Sequence, residues 1–206
     1  TLKHKETQPM SITAWMLIGL LVVLLLWAVS VYNRLVQLRN RIANAFGQID
    51  VQLKRRYDLV PNLVEVARGY LAHEASTLQA VIAARGQAQG AAAQARAAPT
   101  SAAAVGALVV AENALGASLG RLMVVAEAYP ELKADAAMQS LSEELTSTEN
   151  RLGFARQAFN DQALDFNNEA LQFPALIVAR LLGFNAAPML EATQNEQERA
   201  APKVQF

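Results

Sequence analysis

The chain has 206 residues, sets 18 lysines and arginines against 18 acids, and contains two histidines and no cysteine. With charges balanced overall, nothing suggests a general affinity for nucleic acid, and no basic stretch with interleaved aromatics resembles a strand-binding platform. The lack of cysteine excludes disulfides, thiolate catalysis and cysteine-ligated metal centres.

Thr1 to Met10 read as a tail with the character of a leader remnant or an added sequence. A transmembrane helix is expected over residues 11–32, because from Ile12 to Val31 the only polar side chains are Thr13 and Ser30. Twenty residues at helical rise cross roughly 30 Å of hydrocarbon. Ala28-Val29-Ser30 has the small-x-small form of a cleavage site. The run is too long for a cleaved signal, however, and Arg34, Arg39 and Arg41 follow it at once, so a retained single-pass anchor is expected. Those arginines, set against Lys3 and Lys5, orient the amino terminus outward and the main domain into the cytoplasm.

Val31, Leu35, Leu38, Ile42, Ala45, Ile49 and Leu53 step by three and four, so the anchor helix should run on past the membrane. Asp58 as a cap and Pro61 in a first turn predict a break near Tyr57, after which Leu59, Leu63, Val66, Tyr70, Leu78 and Val81 form the next helical face. Alanine dominates from Ala83 to Ala107, with Pro99-Thr100-Ser101 marking a turn. This predicts an extended helical tip with close backbone packing, or a frayed one, rather than a hydrophobic centre.

Leu108, Leu115, Leu122 and Tyr129 give a third helix a seven-residue repeat that Pro130 ends. In the fourth helix Met138, Leu145, Leu152, Phe159, Phe166 and Phe173 hold one heptad position six times. Pro174 closes that helix before a short apolar segment, Ala175 to Leu182, capped by Gly183. With no two-residue alternation anywhere, the expected fold is all-α: a single amino-terminal transmembrane helix continuing into a bundle of long antiparallel helices over residues 33–185. Residues 186–206 form a carboxy-terminal tail.

Two surface patterns stand out. Six basic side chains between residues 33 and 56 face one acid, Asp50, whereas 131–171 hold eight acids against three bases, so these helices are expected to pack as electrostatic complements. Asn33, Gln37, Asn40, Asn44 and Gln48 form an amide stripe beside the apolar one, and Asn150, Gln157 and Asn160 add amides to the fourth helix. The plain reading of such a stripe is solvated surface; its regularity also suits pairing between helices or between subunits. Glu112 lies on the apolar face of its helix and, if buried, needs a partner such as Arg68 or Arg85.

Signs of catalysis are absent. His73 is followed by Glu74 without a second histidine four residues on, and the chain carries no Walker loop, nucleophile elbow or dinucleotide fingerprint. No catalytic residue, cofactor or metal is called for.

Four segments together resemble one family: Tyr32-Asn33-Arg34-Leu35-Val36 with Leu38-Arg39-Asn40; the run from Gln48 to Glu65; Ala126 to Lys133; and Thr148-Glu149-Asn150-Arg151 with Ala155 to Asn160. Phe173-Pro174 and the Ala-Pro-Lys-Val-x-Phe terminus fit as well, and the order is colinear. By these marks the chain is similar to LemA proteins, departing chiefly between Ala83 and Ala107 and before Met10. The resemblance implies a bacterial single-pass inner-membrane protein with a helical bundle and no established enzymatic activity. It also implies an association with membrane-protein quality control near a zinc metalloprotease of the HtpX type, or with magnetosome membranes.

The first expectation is therefore a non-enzymatic membrane-anchored scaffold that self-associates as a homo-oligomer and organises membrane proteins or bilayer shape. The alternative is a monomeric accessory regulator with a membrane protease as partner. Interface residues are expected among the amides named above and, around the Tyr57 turn and the terminus, at Arg55, Asp58, Pro61, Asn62 and Phe206.

Overall fold

A computed structural model describes residues 11–71 and 73–190. Its first helix, α1, runs unbroken from Ile12 to Arg68, 57 residues, with the Ser11 hydroxyl accepting from the Ala14 N–H at its start. At helical rise this is a rod of roughly 85 Å. The helix does not break at Tyr57, contrary to the sequence expectation, and Asp58 and Pro61 lie inside it.

The reason is local. A proline within a helix removes the donor that would reach the carbonyl four residues back. Here that carbonyl, on Tyr57, instead accepts from Arg85 Nε at 2.6 Å. Buried Val60, Leu63, Val64 and Ala67 then hold the segment in place beyond the proline. Leu59, Leu63 and Val66 consequently belong to α1, and the chain turns only after Arg68, at Gly69.

Helix α2 spans Ala75–Ala97 and α3 spans Ala102–Glu127. The turn expected at Pro99-Thr100-Ser101 separates them, with the Ser101 hydroxyl accepting from the Ala104 N–H. A five-residue helix that sequence did not foretell, α4 (Pro130–Ala134), follows Tyr129 with its proline in the first turn. Asp135 then caps α5 (Ala136–Leu171), accepting from the N–H groups of Ala137 and Met138 at 2.8 and 3.0 Å. Helix α6 (Ala175–Leu181) ends near Gly183, whose φ of 73° suits glycine.

Long helices alternate in direction: α5 packs along α1, α2 lies along another part of α1, and α3 packs on α2. Large side chains fill the α1–α5 seam, where Phe46 and Phe159 meet edge to face at 6.0 Å among Leu35, Leu38, Ile42, Ile49, Leu152 and Phe166. Alanine fills α2's share, with Ala84, Ala88, Ala92 and Ala95 all buried in the same core. Phe173 departs from the predicted seam. Because α5 stops at Leu171, this ring falls outside the helical register and is 81% exposed.

Among the described residues, two helices are long and apolar enough to cross a membrane. In α1 the apolar window has mean hydropathy 2.6 and none of it is buried; in α3 the value is 1.6, with 28% of the window buried. Helix α3 sends Val105, Leu108, Leu115, Leu119 and Leu122 into the bundle core and leaves Val110 and Val124 exposed.

Candidate functional site

A charged junction crosses the interior of the bundle. Arg56 and Tyr57, consecutive on α1, are both buried, and so is Glu112 of α3. Arg56 Nη1 donates to Glu112 Oε2 at 2.9 Å and lies 3.0 Å from Glu149 Oε2 of α5. The Tyr57 hydroxyl donates to Glu112 Oε1 at 2.5 Å and sits 3.2 Å from the Ala88 carbonyl of α2. Burial, and then the Glu112 carboxylate, push the Tyr57 phenol above its ordinary value, so it remains a donor.

Four helices thus meet at one arginine and one tyrosine. Glu112 finds its partners in Arg56 and Tyr57 rather than Arg68 or Arg85; Arg68 pairs with Glu65, and Arg85 serves the Tyr57 carbonyl. The charge complementarity expected between α1 and α5 is present as Arg34–Glu169, Arg55–Glu144 and Arg56–Glu149 pairs at 4.0, 3.2 and 3.0 Å. Asp50 turns the other way, to Arg96 of α2 at 2.6 Å.

A second arrangement holds the chain beyond α6. Asn160 donates through Nδ2 to the Leu190 carbonyl at 2.6 Å and accepts from the Leu190 N–H at 2.7 Å. Asn167 does the same with Ala187, at 3.0 and 2.7 Å. Seven helical residues and three extended ones each cover roughly 10 Å, so two amides one heptad apart match contacts three residues apart on an extended segment. Buried Ala187 and Leu190 follow, with Leu190 facing Ile49 and Leu53 of α1 and Leu108 and Val109 of α3 across a small cavity. The tail boundary drawn at residue 186 therefore falls inside a docked segment.

Of the predicted interface residues, Asn160 is taken up by this internal clamp. Asn167, its equal partner, was missed; an asparagine repeated at seven-residue spacing was the available signal. Asn33, Gln37, Asn40, Asn44 and Gln48 are all exposed along α1, as are Arg55, Asp58, Pro61, Asn62 and, on α5, Asn150. Phe206 lies outside the described residues. His73 sits in the turn between α1 and α2, and among the described residues no group of three His, Asp or Glu side chains is placed to hold a metal ion.

Comparison with known proteins adds to this geometry. A family model described as LemA family matches residues 45–206. Two curated relatives, magnetosome proteins MamQ 2 and MamQ 1 of Paramagnetospirillum magneticum, are each 32% identical over 81 residues. That stretch is 39% of this chain and only 30% of each relative's length.

Proposed function

Because this chain belongs to the LemA family, we propose that it is a non-enzymatic, membrane-anchored helical scaffold whose copies associate and organise membrane proteins or membrane shape. The observation that carries this reading is the unbroken α1, which joins a largely exposed apolar run to the bundle core without a hinge. Such a rod fixes the height of everything on it above the bilayer. Copies anchored in the same sense then present the stripe from Asn33 to Gln48 at one level, where amides donate and accept together.

In this reading residues 11–32 are the anchor, and the working bundle runs from 33 through the docked segment at Ala187 and Leu190. The protein sits in a bacterial inner membrane with its bundle in the cytoplasm. The likeness to proteins named for the magnetosome suits a role in membrane organisation. Light scattering with particle imaging in native nanodiscs tests the assembly, and a large symmetric particle is the expected result. A strict monomer at every concentration, without crosslinks in native membranes, overturns self-association. Alkaline phosphatase fused after Phe206 should be inactive; activity there reverses the orientation.

One observation favours a second reading, an accessory regulator of a membrane protease of the HtpX type. Asp58, Pro61, Asn62 and Glu65 share one exposed α1 face, roughly 40–50 Å beyond Val31, as a contact surface held away from the bilayer. Unchanged levels of the protease's substrates after deletion of this gene would count against it.

A further inference from the structure

The end of the bundle nearest the apolar run carries a second apolar surface. Helix α6 turns Ala175, Val178 and Ala179 inward and leaves Ile177 and Leu181 exposed. Phe173, in the turn before α6, is 81% exposed, and Leu171 and Leu182 are exposed on either side. Five exposed apolar side chains within twelve residues would be an unusual load for a surface facing only water.

Its position says what covers it. Helix α6 packs on α1, and just after it Phe184 meets Tyr32 edge to face at 5.9 Å. Along α1, Ala28 is half-buried and Val31 buried, so cover over the helix begins within the last turn of the apolar run. With Phe184 against Tyr32 and Glu169 of α5 reaching Arg34, α6 packs on α1 close to the end of the apolar run.

Charge at this level has the sign expected of a headgroup contact. Among the described residues Arg180 of α6 has no ion-pair partner, and neither does Arg39 of α1. Trp27 and Tyr32 add the aromatic residues that favour a membrane–water boundary.

We infer that α6 and the residues leading into it form a second membrane contact. Phe173, Ile177 and Leu181 enter the interfacial layer of the phospholipid bilayer beside the anchor, and Arg180 reaches the headgroup phosphates. A short helix with an apolar outer face and one cation suits such a shallow seat. Two contacts fix the tilt and rotation of the bundle over the bilayer, which a single helix leaves free. The inference rests on the anchor reading of α1.

Because the chain lacks cysteine, single labelling sites can be introduced cleanly. Full-length protein carrying Leu181→Cys, Ile177→Cys, Leu21→Cys or Val124→Cys, each with an environment-sensitive fluorophore, is placed in phosphatidylethanolamine–phosphatidylglycerol nanodiscs. The discs contain lipids spin-labelled either near the headgroup or at mid-chain. Labels at 181 and 177 should lose fluorescence mainly to the shallow quencher, the label at 21 mainly to the deep one, and the label at 124 to neither.

A quenched label at 21 with unquenched labels at 181 and 177 overturns the second contact while leaving the anchor intact. Blue-shifted but unquenched labels at 181 and 177 would mean that protein covers the patch, which overturns it equally. An unquenched label at 21 removes the anchor and this inference together.

Discussion

Helix α1 is gripped on two faces by opposite means. Toward α5 it meets large side chains, Phe46 against Phe159 with Leu152 and Phe166 above and below. Toward α2 it meets alanines, and the Tyr57 hydroxyl comes within 3.2 Å of a helix carbonyl at Ala88. The first seam draws its stability from apolar area, the second from a close approach that brings polar groups of neighbouring helices together. One seam should therefore be sensitive to shrinking its side chains and the other to enlarging them.

The sharpest break lies where the two seams meet. Arg56→Ala leaves the buried Glu112 carboxylate without its cation, a loss of about 3–5 kcal/mol in unfolding free energy. Arg56→Met combined with Glu112→Leu should recover most of it, since Glu149 is half exposed and can return to water. A double variant as unstable as Arg56→Ala in chemical denaturation would mean that shape, not charge, matters at the junction. Phe159→Ala opens the aromatic seam and should cost about 3–5 kcal/mol by the same measurement.

On the alanine side the sign of the size effect reverses. Ala88→Leu adds bulk where α2 lies against α1, and about 1–3 kcal/mol of destabilisation is expected from overpacking. A neutral or stabilising result would show slack between these helices.

The two seams also differ in how plainly sequence announced them. Repeats of Leu, Ile and Phe encode the α1–α5 seam directly, because burying large apolar side chains on one helix face requires that periodicity. Only Phe173 departed, since the repeat continued past the point where the chain leaves the helix. Alanine carries almost no periodic signal, so its seam was legible as close packing but not as a meeting place for Tyr57 and Ala88. The junction depends on the depth of Glu112 and on which cation reaches it across 56 positions of sequence, which a linear pattern does not specify. The mistaken break at Tyr57 has the same origin: a local rule for proline was overruled by Arg85, a donor from another helix.

That override can be tested by itself. Arg85→Met keeps the apolar stem but leaves the Tyr57 carbonyl without its donor, and a loss of about 1 kcal/mol is expected for this partly buried bond. Pro61→Ala restores an N–H to the helix at the position that reaches the same carbonyl. The Arg85→Met defect should therefore shrink in a Pro61→Ala background. An equal defect in both backgrounds would mean that Arg85 does not compensate for the proline.

The smallest effect expected is at the end of the bundle away from the apolar run. Hydrogen bonds from the Met138 N–H and then the Tyr70 hydroxyl hold the Asp135 carboxyl below its ordinary value of 3.8. A lowered carboxyl contributes stability above its unfolded value, and that contribution fades as pH falls through the folded one. Tyr70 has the opposite sign: its bond to Asp135 raises the phenol above 10.0, so its share persists below that value and is lost as pH rises through the folded one. Asp135→Asn keeps an acceptor at the cap while removing its titration, and should flatten the acid edge of a Tm–pH curve below about pH 4. Tyr70→Phe should weaken the alkaline edge while leaving the Ala137 and Met138 cap bonds in place. Unchanged slopes at both edges would show that this contact is open in solution, and that neither seam's stability extends as far as the α4–α5 corner.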